Sequence, residues 1–348
     1  MRLHMRCFLL GYFPIMTLCL GWFTIRNLTI GQKAPIGHTT PIVQRKPVAK
    51  PQEFSCGDIC NVSMTGTPGP FFDEIVKKVD CNFLWAEKID ARPASLPAPG
   101  WSDVPVAMQN EFTYQRKVPL SHYRKSGVLD QRYLTGSAEM KTWTMQLVDK
   151  WITECKKGSL PGTYGVEETK HVFEGLKHVK RLNGGHVLVV GSENPWLEAC
   201  ALAAGAAKVT TLEYGKITST HPLIDTMTPD EAREKYFSGS RYDAVLSFSS
   251  LEHSGMGRYG DALDAHGDLK SNARSWCIGN PGAGLLLGVP SGPGGVYEDA
   301  IVWNAHRLYG VLQYSHLAAN WKQEWRADSG GQRVHVFSKA ASTVPVNM

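Results

Sequence analysis

Residues 186–191 read His-Val-Leu-Val-Val-Gly, a short and continuous apolar run. Such a run is typical of a strand that is buried on both faces of a parallel sheet. A helix is predicted directly after it, over 195–204, where the small residues of 199–204 allow close packing. A second strand is predicted at 208–213 and ends in a carboxylate. This succession predicts a βαβ unit and hence an α/β fold.

The same alternation continues towards the C-terminus. Thr228-Pro-Asp-Glu231 is a capping box with proline at the first helical position, so a helix is predicted over 228–236. The elements predicted after it are a strand at 242–249, a helix at 268–277, a turn at 280–282 and strands at 284–289 and 334–338. The pattern predicts a doubly wound, mostly parallel, Rossmann-like sheet.

Helices are also predicted upstream of the sheet. Within 137–158, apolar residues recur at steps of three and four, which indicates a helix with one buried face that stops at Gly158. The residues of that face are Met140, Trp143, Leu147, Trp151 and Cys155. A second helix is predicted over 166–180, and a short amphipathic helix over 71–89.

Composition and charge restrict the class of protein. The 348 residues are 43% hydrophobic and 20% charged, which excludes a disordered chain, a collagen-like repeat and a multi-span membrane protein. The formal net charge is +5, but seven basic residues and no acids precede Glu53. The remainder holds 30 basic and 32 acidic residues. Because the basic excess lies in the N-terminal arm, nucleic acid is not a predicted partner.

The N-terminal segment has the pattern of a membrane signal. Residues 7–25 carry no formal charge and follow Arg2 and Arg6. As a helix they would span about 28 Å, close to the hydrocarbon core of a bilayer. We expect an uncleaved, single-pass, type II anchor, with the C-terminal domain in the Golgi or endoplasmic reticulum lumen. A cleaved signal peptide is the alternative. The sequons at Asn27 and Asn61 fit a lumenal glycoprotein.

The expected organisation has four parts. A short tail and anchor occupy 1–26, a Pro-rich stem and irregular region 27–136, the Rossmann-like domain 137–340 and a tail 341–348. Eleven of the 20 prolines fall between Pro35 and Pro119.

The cysteines bear on the compartment. Cys56, Cys60 and Cys81 lie close together in sequence, while Cys155, Cys200 and Cys277 are scattered. In an oxidising compartment a disulfide is expected within the first group. A mixture of buried thiols and one pair is an equal alternative.

A ligand in such a sheet binds beyond the carboxyl ends of the strands, where the strand order reverses. The segments 191–196, 213 and 249–253 are expected to meet there. Gly191 and Glu213 are 22 positions apart, the spacing at which an acid accepts both hydroxyl protons of a nucleoside ribose. The predicted cofactor-binding residues are Gly191, Ser192, Glu193, Glu213, Ser249 and Leu251.

This layout resembles the class I S-adenosylmethionine-dependent methyltransferases over roughly 180–340, and the resemblance implies S-adenosylmethionine as cofactor. More narrowly, SSLEHSGMGRYGDALD at 249–264, with GVP at 288–290 and VWNAHRLYG at 302–310, resembles a family of uncharacterised proteins first described from Caenorhabditis. One departure concerns the loop, which reads Gly191-Ser-Glu-Asn-Pro-Trp196 instead of Gly-x-Gly-x-Gly. Glu193, Pro195 and Trp196 would crowd a methionine moiety, and Pro195 has no N–H to offer.

Residues able to do chemistry follow the later strands. His253 or His306 is predicted to take a proton from a substrate hydroxyl, and Asp261 is a third catalytic candidate. Arg307 is predicted to hold an anionic substrate group bidentately. The other predicted substrate-binding residues are Glu252, Asp264 and Asn304. No metal is predicted, although Asp261, Asp264 and a histidine would suffice for a divalent cation.

These features favour a membrane-anchored, methyltransferase-like protein. It would transfer a methyl group from S-adenosylmethionine to a hydroxyl or carboxyl group of a small molecule or glycan in the secretory pathway. One alternative is a catalytically inactive Rossmann-like binding domain, which the single-glycine loop favours. Another is a Golgi glycosyltransferase, although the folded part contains no Asp-x-Asp motif.

Overall fold

The computed structural model describes residues 80–88, 100–121, 141–291, 298–329 and 332–339. The predicted membrane anchor, both sequons, Cys56 and Cys60 lie outside these residues, as does most of the predicted stem. Within the described ranges, no helix has the length and hydropathy needed to cross a membrane.

The elements are named here in chain order. They are α1 (Cys81–Ala86), α2 (Val106–Phe112), β1 (Leu120–Ser121), β2 (Thr142–Trp143), α3 (Met145–Lys157), α4 (Val166–Leu176), β3 (His186–Val190), α5 (Trp196–Ala203), β4 (Lys208–Leu212), β5 (Thr218–Ser219), β6 (Ile224–Met227), α6 (Pro229–Phe237), β7 (Tyr242–Phe248), α7 (Gly267–Ile278), β8 (Gly279–Pro290), β9 (Ala300–Val302), β10 (His306–Leu308), α8 (Val311–Leu317), β11 (Trp321–Ser329) and β12 (Gln332–Lys339).

A seven-stranded sheet in the order β11-β12-β8-β7-β3-β4-β6 organises the described part of the chain. The pairings from β8 to β6 are all parallel, while β12 runs antiparallel to both β8 and β11. Strand β3 lies in the middle, with β4 on one side and β7 on the other, so the order reverses there. The predicted doubly wound, mostly parallel α/β fold is therefore observed.

Helices cover both faces of this sheet. Val148, Val172 and Leu197 of α3, α4 and α5 pack in one core cluster with Val187 and Val189 of β3. The opposite face holds a second cluster, to which α1, α6, α7 and α8 contribute. The side chains of β3 alternate between the two clusters, because successive residues of a strand point to opposite faces. That is why its sequence is apolar throughout.

The helix ends follow their sequence signals. The Thr144 hydroxyl accepts the Leu147 N–H at the start of α3, and Gly158 ends the helix with a φ of 66°. At the start of α6, the Thr228 N–H donates to the Glu231 carboxylate at 2.6 Å, as the capping box predicts.

The structure differs from the predicted elements in several places. The helix predicted over 137–158 begins at Met145, and Trp143, which was assigned to its buried face, lies in strand β2. The helix predicted over 166–180 ends at Leu176.

The segment 280–282 is not a turn between elements but a bulge inside β8, because Tyr242 pairs with Gly279 and Ala244 already pairs with Gly284. Strands β6 and β11 were not predicted. Both have polar side chains where the apolar pattern of a strand would be expected, and both lie at edges of the sheet. Of the helix predicted over 71–89, the structure describes residues 80–88, where α1 spans Cys81–Ala86.

Two disulfides tie the helices together. Cys81 of α1 is bonded to Cys277 of α7, and Cys155 of α3 to Cys200 of α5. Of the group in which a disulfide was expected, Cys56 and Cys60 lie outside the described residues, and Cys81 is bonded elsewhere. Its partner lies 196 positions away, because α1 packs across α7 on the sheet.

Candidate functional site

A cavity of about 830 Å³ opens at the carboxyl ends of β3, β4 and β7. This is the edge at which ligands bind in open α/β sheets, and the volume is in the range of small-molecule sites. Leu188, Val190 and Leu212 give it an apolar floor, while the loops that follow the three strands give it polar walls.

All six predicted cofactor-binding residues line this cavity: Gly191, Ser192, Glu193, Glu213, Ser249 and Leu251. Their roles stay predictions, but the sheet does bring them together. The backbone at position 191 admits only glycine, since φ is 77° and a Cβ atom there would lie 1.8 Å from the Ser250 hydroxyl oxygen. A glycine is needed here to let the β3 loop and the β7 loop pass each other.

Glu213 lies against the loop after β3. One of its carboxylate oxygens accepts the Ser192 N–H at 2.8 Å, and the other accepts the Tyr214 N–H at 2.6 Å. Burial raises the pKa of Glu213 to about 7, against the lowering effect of these hydrogen bonds. A carboxylate has about four acceptor positions, and a backbone hydrogen bond from Gly215 also acts on this group, so at least one position is left for a ligand hydroxyl group.

Trp196 does not fill the space above the loop. It is 5% exposed, packs edge-to-face against Phe248, and a Cβ atom on Gly162 would meet its indole. The ring forms one wall of the cavity. Pro195 is not among the lining residues. Of the three residues expected to crowd a ligand, Glu193 and Trp196 therefore line the cavity and Pro195 does not.

A fully buried acid, Glu198 of α5, lies beneath the same loop. Its carboxyl group accepts the Thr211 hydroxyl at 2.8 Å and the Ser192 hydroxyl at 3.1 Å. Burial raises its pKa to about 7. Glu198 thus binds the Ser192 hydroxyl, while Glu213 binds the Ser192 N–H. Sequence reasoning missed Glu198, because an acid in a helix usually points to solvent.

The raised pKa of Glu198 gives a testable pH dependence. Between the unfolded pKa near 4.5 and the folded pKa near 7, the folded state binds more protons than the unfolded state, so stability falls as pH rises. We expect Glu198→Gln to gain stability relative to the wild type, by on the order of 2–3 kcal/mol, between about pH 5 and about pH 8. Urea unfolding at both pH values measures this difference. Glu234→Gln, an exposed change on α6, is the control, and equal pH profiles of Glu198→Gln and wild type would contradict the assignment.

The other end of the cavity holds two histidines and an acid. His253 Nδ1 donates to the Ala305 carbonyl at 2.6 Å, and Nε2 lies 3.6 Å from a Glu252 carboxylate oxygen. The ring centres of His253 and His306 are 6.0 Å apart. Burial lowers the pKa of His253 to about 3 and that of His306 to about 4, so both rings are neutral at pH 7. Glu252 accepts the Ser249 hydroxyl, and burial raises its pKa to about 7.

Four predicted site residues lie outside the cavity: Asp261, Asp264, Asn304 and Arg307. The Asp261 carboxylate accepts the N–H groups of Gly255 and Tyr259, and Asp264 forms an ion pair with Lys270 at 2.7 Å. These acids shape the loop after β7 instead of facing a substrate. Asn304 has a φ of 57° in the turn between β9 and β10.

Arg307 corrects the sequence interpretation most clearly. The side chain is 1% exposed and pairs with Asp268 at 3.4 Å. Its guanidinium also donates to the carbonyls of Ser254 at 2.7 Å and of Asp264 and Ala265 at 3.1 Å. With its donors used inside the protein, it cannot bind an anionic substrate group. It instead fixes the loop after β7, which contains His253.

Within the described ranges, no group of three side chains is arranged to hold a metal ion. The cation alternative for Asp261 and Asp264 therefore has no support from their positions.

Several lining residues were not predicted, among them Trp85, Tyr164, Arg258, Tyr259 and Gln332. Trp85 belongs to α1, about one hundred positions before β3, and stacks on Tyr236 of α6 with ring centres 5.0 Å apart. Nothing in the local sequence of α1 indicates this placement. Arg258 and Tyr259 were within reach of sequence reasoning, because they lie in the Gly-rich loop after β7.

Comparisons with known proteins were made for the whole chain. The model of a family described as Caenorhabditis protein of unknown function, DUF268, matches residues 184–337. No curated protein matches the sequence.

Solved structures similar to this chain include three described as methyltransferases, each of low sequence identity. The 1,6-didemethyltoxoflavin-N1-methyltransferase of Burkholderia thailandensis, with bound S-adenosylhomocysteine, is 13% identical, with a TM-score of 0.35 over 56% of this chain and 88% of that chain. An O-methyltransferase family protein of the same organism is 10% identical, with a TM-score of 0.38 over 62% and 64%. A putative RNA methyltransferase of Pyrococcus horikoshii is 14% identical, with a TM-score of 0.36 over 57% and 100%.

The family match runs from just before β3 into β12 and so contains the loops that line the cavity at the carboxyl ends of β3, β4 and β7. It also contains 249–264 and 302–310, the segments on which the narrower resemblance was based. Residues 184–337 of this chain therefore match the Caenorhabditis family of unknown function, as the sequence predicted.

Proposed function

We propose that this chain is a methyltransferase-like enzyme that binds S-adenosylmethionine beside Glu213 and a hydroxyl-bearing acceptor beside His253. The observation that carries the proposal is the Glu213 carboxylate, which lines the cavity and lies 2.8 Å from the Ser192 N–H. An acid at the end of the second strand, against the loop of the first, is placed to accept ribose hydroxyl groups. Leu188, Val190 and Leu212 would contact the base.

The cofactor, when bound, supplies an electrophilic methyl group. The protein's part is to hold the acceptor and take its proton. Because Nδ1 of His253 donates to Ala305, Nε2 is the atom left to accept the hydroxyl proton. The Glu252 carboxylate, 3.6 Å from Nε2, would stabilise the imidazolium that results. His306 would orient the hydroxyl group.

The expected compartment belongs to the same proposal. Disulfides form and persist in oxidising compartments and are rare in the cytosol. Cys81–Cys277 and Cys155–Cys200 therefore support a domain in the secretory pathway, reached through the type II anchor expected at residues 7–25. The acceptor in that setting would be a small molecule or a glycan.

A binding domain without catalysis is the second candidate. It is favoured by the two hydrogen bonds that Glu213 already accepts from Ser192 and Tyr214 and by the single glycine of the loop. Cofactor affinity without methyl transfer to any member of a broad panel of alcohols, carboxylic acids and glycans would favour it over the enzyme.

The proposal predicts a cofactor site that depends on Glu213. We expect the full chain to bind S-adenosylhomocysteine in titration calorimetry at about pH 8, above the pKa of Glu213. Glu213→Gln should weaken the binding about tenfold or more, because one charged acceptor is lost. Glu234→Gln, exposed on α6, is the matched control and should bind as the wild type does. Absence of binding by the folded wild type at millimolar concentration would rule out this cofactor.

A further inference from the structure

Arg258 is a cation of the cavity that forms no direct ion pair with any residue the structure describes. It lies in the loop after β7, half-buried, and its guanidinium carbon is 5.4 Å from the centre of the Tyr259 ring. In the described part of the chain, no hydrogen bond or ion pair joins this guanidinium. Arginine carries five N–H donors and no acceptor, so its natural ligand is an oxyanion bound through two parallel hydrogen bonds.

His306 lies at the same end of the cavity in a similar state. Its ring contacts His253 edge-to-face, and among the described residues its nitrogens make no hydrogen bond. The positive charge of Arg258 reaches both rings, since it helps to lower the pKa of His253 and of His306. Both side chains also line the same cavity, which makes them available to one ligand.

The acids nearby do not neutralise Arg258. The charge of Arg258 does act on Glu252, since it helps to lower the pKa of that acid, but the two side chains form no direct ion pair. The Glu252 carboxyl group is 1% exposed, accepts the Ser249 hydroxyl and faces His253 Nε2. Glu193 lies on the opposite loop, after β3, where its charge acts on Glu213. A cation in a cavity without a directly bound protein anion favours an anionic ligand.

We infer that the acceptor is a hydroxyl compound that also carries an oxyanion, a carboxylate, phosphate or sulfate, and that Arg258 binds this group beside the hydroxyl facing His253. The inference rests on the proposed function, because only an enzyme has an acceptor. Binding of an oxyanion at Arg258 can nevertheless be measured separately from methyl transfer. Arg258 takes the place that sequence reasoning gave to Arg307.

This inference is tested with four compounds that share the glucose ring and differ in the group at position 6: D-glucuronate, D-glucose 6-phosphate, D-glucose 6-sulfate and D-glucose. Binding to the full chain is measured by titration calorimetry, with and without S-adenosylhomocysteine. We expect at least one acidic hexose to bind about tenfold or more tightly than glucose. The acid that binds best identifies the oxyanion.

Variants locate the interaction. Arg258→Gln should remove the preference for the acidic hexose, and Arg258→Lys should keep part of it, because the charge remains but the fork is lost. Arg326→Gln, the same charge change on exposed β11, should bind as the wild type does. The inference is overturned if none of the acids binds better than glucose, or if Arg258→Gln keeps the preference. The protein could also bind the acid through Arg258 but show no affinity for S-adenosylhomocysteine. That result would overturn the proposed function, while the oxyanion site at Arg258 would be supported.

Discussion

Replacing both Cys81 and Cys277 by serine is expected to lower the free energy of unfolding by about 2–5 kcal/mol. The disulfide joins residues 196 positions apart and so restricts a long loop of the unfolded chain. It also fastens α1, which places Trp85 in the wall of the cavity. We therefore expect the same variant to lose affinity for S-adenosylhomocysteine.

Urea unfolding and calorimetry of the Cys81→Ser/Cys277→Ser variant measure the two effects. The matched control is Cys155→Ser/Cys200→Ser, whose disulfide closes a loop of 45 positions and whose cysteines do not line the cavity. On loop entropy alone its loss should be about 1 kcal/mol smaller. A variant at Cys81 and Cys277 with unchanged stability and unchanged affinity would show that α1 is held by packing alone.

Arg307→Met is expected to destabilise the protein by about 3–5 kcal/mol, since it leaves the Asp268 carboxylate buried without its cation. It also leaves the carbonyls of Ser254, Asp264 and Ala265 without a donor. Chemical denaturation of Arg307→Met and Asp268→Asn measures the loss.

A double variant separates the ion pair from its surroundings. Arg307→Met/Asp268→Leu removes both charges, so its loss of stability should be smaller than the sum of the two single losses. Additive losses would mean that the pair contributes nothing beyond the carbonyl contacts. Arg326→Gln on β11 should leave the stability within about 0.5 kcal/mol of the wild type.

The sequence predicted the sheet where burial dictates composition. Strands β3, β7 and β8 lie between two layers of helices, so their apolar runs were sufficient evidence. The edge strands β6 and β11 are less buried, because one side of each faces solvent or loops. They therefore contain polar side chains, and the apolar pattern that would have predicted a strand is missing. The segment 280–282 has the residues of a turn because the backbone changes direction there, at a bulge within strand β8.

The site was predictable as far as it depends on strand ends. Gly191, Glu213 and Glu252 follow strands of the sheet, and parallel strands bring their carboxyl ends together. Arg307 and Arg258 show the limit of this reasoning. Both are arginines in loops or strands near the site, and only side-chain packing decides which one is enclosed by carbonyls and which one faces the cavity.

The placement of α1 has a consequence for how the protein is divided. The Rossmann-like domain expected at 137–340 begins after α1, so a fragment cut there would lose the indole that walls the cavity and would leave the sulfur of Cys277 as a free thiol. The smallest fragment able to report on ligand affinity must begin before Asp80, the residue whose carboxylate caps α1.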